Sequence, residues 1–345
     1  MNQTPSIKNY CNLTAIALGL DPAGSAGHFD DAVLIETPLP WKRDLYEKAG
    51  ALPQEMVDLL ALWLQRYRAG APYNHRPLLI GPDDEYSQPG HRRVIFFRKP
   101  TGAFANFERT EYLVPDAETG PLLWAIYEAQ DDLPRFDAYR VDTVADVRDL
   151  LVCTHGSIDV ACAKFGYPLY DRLRKHYAGD GVRVRRVSHF GGHVYAPTMM
   201  EMPSGHYWAY VDADQADQIA LRRGDVTCLR GHYRGWAGAS HGFAQAAERE
   251  LFLRFGWDWM DQARTCTVVD SDDAPEPQWQ DVRIETVPGV ASPDGVRDSF
   301  MLRVEIERSV ETVHATDNAR VIAYPQYRAA ESLSLCGYPQ RDQHR

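Results

Sequence analysis

The sequence predicts an α/β protein made of two similar strand–helix–strand units in tandem, followed by a C-terminal α+β extension. Three observations carry this expectation. Short apolar runs bounded by glycine or proline alternate with stretches whose apolar residues recur at helical spacing. A chain of 345 residues has the length for two or three domains. Beyond Gly224 the alternation gives way to one long helical stretch and a β-rich pair. The boundaries that follow are residues 1–137, 138–224 and 225–345.

Residues 1 to about 30 are polar, glycine-rich around Asp21-Pro22-Ala23-Gly24, and read as a loop. Ala32-Val33-Leu34-Ile35-Glu36 reads as a buried strand stopped by Pro38 and Pro40, and Gln54 to Tyr67 carries Met56, Leu59, Leu60, Leu62, Trp63 and Leu64 in a helical core stripe. Pro77 to Ile80 and Arg93 to Phe97 read as strands parted by the turn-rich Gly81 to Gly90. A strand near Glu111 to Val114 and a helix near Gly120 to Ala129 complete the first unit. In the second, Val147 to Cys153 is a strand, Pro168 to Tyr177 a helix, and Val182 to Val187 a half-exposed strand. Thr198 to Met202 and His206 to Val211 pair as a hairpin, and Ala213 to Leu221 is a helix. The extension predicts an amphipathic helix over Phe243 to Phe255 and an acidic linker over Asp270 to Pro277. A β pair, Trp279 to Val287 with Ser299 to Glu307, and a frayed end over the last eight residues follow.

Charge and cysteine usage narrow the function classes. A net charge of -11 argues against nucleic acid or an anionic membrane as partner. No apolar run reaches the roughly 18 residues that span a bilayer. The six cysteines, at 11, 153, 162, 228, 266 and 336, are scattered, and nothing N-terminal reads as a secretory signal. The expectation is a reducing cytoplasm, where paired cysteines indicate metal or redox chemistry.

The chemistry concentrates between Cys153 and His193. Cys153, Cys162, His189 and His193 form a possible set of two sulfur and two imidazole ligands. Residues nine apart sit about half a turn out of phase on a helix of 3.6 residues per turn, so the cysteines cannot share one helical face. Thr154 to Asp159 reads as a loop leaving a strand end. His189 and His193 flank Gly191-Gly192, which favours a tight turn over a helix. Any one of these residues alone is better read as core or solvated polarity; the four together point to a metal site. Structural zinc takes cysteines about two to four apart, which this pair is not, while the His-x3-His pair suits it. Two thiolates and two imidazoles also hold Rieske-type two-iron clusters. Spacing alone leaves both open.

Cys153-x8-Cys162, Phe165-Gly166-Tyr167-Pro168, Leu173-Arg174, Val187-Ser188-His189-Phe190-Gly191-Gly192-His193 and Ala196-Pro197-Thr198 resemble the sucrase/ferredoxin-like family. That family includes thioredoxin-like ferredoxins and fungal proteins linked to actin-patch distribution. The motif covers about residues 148 to 211, with weaker similarity around Asp21 to Ala26 and Leu34 to Trp41. The element order is compatible with tandem thioredoxin-like units, and the resemblance implies a [2Fe-2S] cluster on Cys153, Cys162, His189 and His193. It implies a one-electron carrier with the cysteines on one iron and the histidines on the other; a coordinated imidazole that keeps a ring N–H would then couple redox to protonation of a histidine ligand. The electron donor and acceptor proteins are not named by it. The alternatives are a structural zinc module on the same residues and a thiol-disulfide oxidoreductase using Cys153 or Cys162.

Weaker signals compete. Gly238-Ala239-Ser240-His241-Gly242 fits a nucleophile elbow, but its approach, His232 to Ala237, is polar and broken by Gly235, so a helix-entry loop is preferred. Abundant carboxylates do not by themselves make a glycosidase. The expectation is a redox carrier or oxidoreductase component rather than a hydrolase. Arg172, Arg174, Lys175, Arg183, Arg185 and Arg186 form a basic segment that would steer an acidic partner or offset cluster charge if it surrounded the site. His155, Lys164 and Tyr195 are candidates for outer hydrogen bonds to the site.

Overall fold

The computed structural model describes residues 10–46, 50–142, 147–179, 181–287, 298–330 and 333–334. The last eight residues, expected to fray, lie outside them. A short helix, α1 (Cys11–Ala17), stands where the sequence read as loop. Its buried residues Cys11, Asn12 and Ala15 fill only one side of two turns. That is too short a stripe to register as helical periodicity.

The first unit runs β1 (Asp31–Glu36), α2 (Gln54–Arg68), β2 (His75–Ile80), β3 (His91–Arg98), β4 (Glu108–Pro115) and α3 (Thr119–Tyr127). β1 pairs parallel with β2 and antiparallel with β3, which pairs antiparallel with β4. The second unit runs β5 (Arg148–Cys153), α4 (Val160–His176), β6 (Val182–Val187), β7 (Met199–Met202), β8 (His206–Trp208) and α5 (Ala213–Leu221). β5 pairs parallel with β6 and antiparallel with β7, which pairs antiparallel with β8. Element order and pairing therefore repeat, although no residue repeat is visible. The units meet edge to edge where β2 and β6 pair at Ile80 and Val187. With β9 (Tyr233–Trp236) beyond β8, one nine-stranded mixed sheet results, in the order β4-β3-β1-β2-β6-β5-β7-β8-β9.

β1 explains the continuous apolar run in the sequence. Val33 and Ile35 face the α2 residues Met56, Leu59 and Trp63, whereas Ala32 and Leu34 share a core with Leu150, Val152 and Val184 of the second unit. A strand buried on both faces needs apolar residues at every position.

Charge also ties the units together. Asp149 on β5 and Glu111 on β4 are buried, and Arg183 bridges them at 3.0 Å each, with Arg109 at 2.6 Å and Arg185 at 3.0 Å from Asp149. Arg93 also pairs with Glu111. The basic segment is thus largely neutralised in place. Arg172 pairs with Asp217, Arg174 with Asp83 and Glu85, and Lys175 with Asp171, while Arg186 donates to Thr154 Oγ1 at 3.2 Å. It holds the two units in register and does not form a cationic collar around the site. Removing one partner of such a buried network costs more than the pair is worth on the surface.

In the extension, α6 (Gly242–Phe255) precedes β10 (Arg264–Ser271), β11 (Trp279–Thr286), β12 (Ser299–Ala315) and β13 (Asn318–Ala329), a second antiparallel sheet that Leu333–Ser334 joins through β12. Two expectations are corrected here. β10 extends through Asp270 and Ser271, so the acidic linker starts later. α6 is not an amphipathic surface helix, since Gln245, Glu248 and Arg249 are buried with its apolar residues. The polar ones are satisfied in place: Glu248 accepts from Arg264 at 2.7 Å, Trp259 at 2.8 Å and Tyr233 at 2.6 Å. Among the described residues no helix is long and apolar enough to cross a membrane.

Candidate metal centre

Three local devices bring the four predicted residues together. β5 ends at Cys153, whose N–H donates to the Thr198 carbonyl at 3.1 Å and fixes the sulfur at the strand end. Thr154 to Asp159 then turns into α4, which begins at Val160 and not near Pro168; Pro168 lies inside the helix. Cys162 therefore sits in the first helical turn rather than at the end of a wrapping loop. The turn is set by Asp159, whose carboxylate accepts the Ala161 N–H at 2.8 Å. On the other side, β6 leads through Ser188 to His189, and Gly191 and Gly192 take φ of 96° and 84° before His193 opens a 3-10 turn. A Cβ on Gly192 would meet the Arg234 guanidinium at 2.7 Å, so this turn requires glycine.

The ligand atoms of Cys153, Cys162 and His189 all lie within 4.8 Å of one another. His189 Nδ1 stands 3.9 Å from Cys153 Sγ and 3.7 Å from Cys162 Sγ. His193 is outside this tight trio, with its ring 5.2 Å from that of His189. It is buried, and neither ring nitrogen makes a hydrogen bond of ordinary geometry, although the His314 backbone lies near enough to favour its proton. An imidazole stripped of water and short of partners is costly, and a ligand on it removes the cost.

Electrostatics favour a thiolate in the pair. The Cys162 thiol hydrogen-bonds Cys153 and, with His189, holds the Cys153 pKa well below that of an ordinary thiol. The same contact and burial hold the Cys162 proton on. Burial pushes His193 below the ordinary histidine value, and His189 adds to this, so the ring is neutral as a ligand must be.

The wall opposite the ligands comes from residues the sequence reading did not assign. Asp159 accepts from Thr316 N and Oγ1, each at 2.7 Å, in the turn that joins β12 to β13. His314, from the same hairpin, sets its ring 4.8 Å from that of His193. Cys11 of α1 contacts Asp159 at 3.8 Å and the His193 carbonyl at 3.6 Å, and burial pushes its thiol up to about 11, so it stays protonated. Of the candidate outer residues, His155 accepts the His189 N–H at 3.2 Å. Lys164 is exposed, and Tyr195 lies under Arg234.

Asp159 thus caps α4 and latches the hairpin. Although burial opposes ionisation, hydrogen bonds from Thr316 and Ala161 hold its pKa below the usual carboxylate range. Its contribution is full above the ordinary carboxylate pKa and is lost as pH falls through the lower folded-state value. Asp159→Ala is expected to lower stability by about 1–2 kcal/mol and to open the hairpin to protease, with Asp159→Asn milder. Thermal unfolding with limited proteolysis checks this; a variant as stable and as resistant as wild type would contradict it.

The Gly-x-Ser-x-Gly segment follows a fully buried strand, β9, contrary to the polar approach expected, and leads into α6. Ser240 is nonetheless exposed, and the His241 ring accepts the Ala244 N–H as the helix cap. The segment is a helix entry.

Two buried thiols and two imidazoles, carried by the end of β5, the first turn of α4 and the glycine turn after β6, define a candidate Cys/His metal-binding protein. The chain belongs to the sucrase/ferredoxin-like family, whose model matches residues 22–235. It is similar to altered inheritance of mitochondria protein 32 of Debaryomyces hansenii, with 28% identity over 184 residues, or 48% of this chain and 62% of that protein's length. No solved structure matches the chain. The family match stops before α6 and the second sheet, so the hairpin over His193 lies outside it.

Proposed function

We propose that the protein is an electron carrier holding one [2Fe-2S] cluster on Cys153, Cys162, His189 and His193. The observation that carries this reading is the buried His193 ring beside a buried pair of cysteine sulfurs, in a chain of a ferredoxin-like family. Bound there, such a cluster supplies one-electron transfer at a potential raised by imidazole ligation. By Rieske precedent the cysteines would hold one iron and the histidines the other.

The protein's own residues supply the setting. Cys153 and Cys162 are buried, which excludes water and solution thiols, and β5 and α4 hold them rigidly. His189 is the partly exposed edge of the set and gives electrons a short route to a partner protein. Each coordinating ring keeps one nitrogen that carries a proton, and added negative charge nearby favours that proton. The potential is therefore expected to fall as pH rises between the oxidised-state and reduced-state pKa values of the ring. An optical redox titration across pH tests this, and a potential flat across the accessible range would contradict it. Replacing either histidine by cysteine should lower the potential.

One observation favours a second reading, since three ligand atoms within 4.8 Å suit a single tetrahedral zinc ion as well. Zinc would hold β5, α4 and the glycine turn together without redox activity. Thiol exchange is disfavoured, because reactive cysteines are partly exposed and both of these are buried. The described cysteines form no disulfide, which suits a reducing compartment such as the cytoplasm. The partners we propose are an electron donor and an acceptor protein, with neither nucleic acid nor membrane involved.

A further inference from the structure

Four arginines are almost fully buried: Arg185, Arg234, Arg249 and Arg264. Three of them meet a carboxylate, Arg185 at Asp149 (3.0 Å), Arg249 at Asp21 (2.7 Å) and Arg264 at Glu248 (2.7 Å). Arg234 pairs with no carboxylate among the described residues. It donates only to neutral oxygens: Ser25 Oγ at 3.0 Å, the Ser25 carbonyl at 2.5 Å and the Gly191 carbonyl at 3.1 Å. These use three of the five N–H groups of a guanidinium. Its remaining compensation is the faces of Tyr195 and Tyr207, 5.2 and 5.4 Å away.

A second cation shares the place. Arg76, on β2, has no ion pair among the described residues, and its buried Nε has no hydrogen-bond partner. A Cβ on Gly27 would lie 2.7 Å from the Arg76 guanidinium and 3.0 Å from the Tyr207 hydroxyl, which is itself buried and unpartnered. Arg76 and Arg234 both line one cavity of about 400 Å³, which no carboxylate enters and to which His193 also contributes. Gly191 also lines it, with open space where a Cβ would stand. Burial pulls Arg234 below the ordinary arginine value, and Arg76 beside it adds to the effect. Two cations facing one cavity without an anion is an arrangement that a ligand completes.

We infer that this cavity is a binding site for the carboxylate or phosphate group of a small anionic molecule, held by Arg76 and Arg234 next to His193. Guanidinium forks match both oxyanions with paired hydrogen bonds. Phe190, Tyr195, Tyr324 and Tyr327 give the rest of such a molecule apolar and aromatic walls. The inference does not depend on which metal the adjacent residues hold.

The test is calorimetric titration of the full-length protein as purified, at constant ionic strength, with inorganic phosphate in one arm and benzoate in the other. At least one is expected to bind saturably at one site per chain. Arg76→Gln should weaken it by about tenfold or more, as expected for losing a charge-assisted hydrogen-bond pair, and Arg76→Lys should weaken it less. Gly27→Ala, which keeps both charges but crowds the Arg76 fork, should weaken it as well, and it covers the case of an Arg76 variant that fails to fold. Saturation by phosphate alone would assign a phosphate-bearing ligand, and by benzoate alone a carboxylate. Binding of neither anion, or binding that these variants leave unchanged, would overturn the inference. The metal content of each preparation, measured separately, reports on the electron-carrier reading without affecting this outcome.

Discussion

Cys162→Ser is expected to strip the metal from the purified protein while leaving the fold largely intact. Serine keeps the first turn of α4, because the cap is made by Asp159 and the Cys162 backbone, whose N–H donates to the Asp159 carbonyl at 3.1 Å. The substitution removes a soft sulfur 3.7 Å from His189 Nδ1 and leaves a hydroxyl that does not ionise at neutral pH. The loss should exceed the roughly 10–100-fold in affinity that an outer hydrogen bond is worth. His155→Ala, which removes the acceptor of the His189 backbone N–H, should cost less than the loss of the sulfur. Metal content per chain after dialysis against a graded chelator series distinguishes the two. A Cys162→Ser protein that keeps full metal would show that Cys162 is packing and not a ligand.

Gly166→Ala is expected to destabilise the protein, against the usual sign of that change. At an unconstrained site in a helix, alanine is favoured over glycine by about 1 kcal/mol. Here a Cβ would run into the carbonyl oxygen of Cys153, a backbone atom of a central strand that cannot swing aside. Overpacking of this kind costs about 1–3 kcal/mol, and it wins because α4 must lift away from β5 to relieve it. Lifting α4 carries Cys162 away from Cys153, so metal content should fall together with the melting temperature. A Gly166→Ala protein that is more stable and fully loaded would contradict the packing account of how the two sulfurs are brought together.

The ligand-bearing strands were legible because β5 and β6 are short apolar or alternating runs bounded by turn residues, and Gly191-Gly192 has few uses other than a left-handed turn. The start of α4 was missed for a physical reason. Gly166 and Pro168 interrupt its helical pattern, although Asp159 ahead of Val160-Ala161-Cys162 was a usable cap signal. α6 was found but its environment was misjudged, because a helix between two sheets buries polar residues that a surface pattern assigns to solvent. The far wall of the site was not legible at all. Cys11 N–H donates to Thr316 Oγ1 at 3.3 Å across a sequence separation of 305, and neither α1 nor the β12–β13 turn carries a motif. The basic segment illustrates the same limit, since its charges were visible in the sequence but Asp149 and Glu111 became their partners only through folding.

A two-iron cluster on Cys153, Cys162, His189 and His193 is open to test in a single preparation. The protein is purified without oxygen, and iron, sulfide and zinc per chain are determined together with visible absorption before and after dithionite, for wild type and His193→Ala. The account predicts a red-brown protein with about two irons and two sulfides per chain, which bleaches on reduction and whose spectrum the substitution alters. A colourless protein carrying about one zinc per chain, with no sulfide and no response to dithionite, would contradict it and leave the same four residues as a structural metal site.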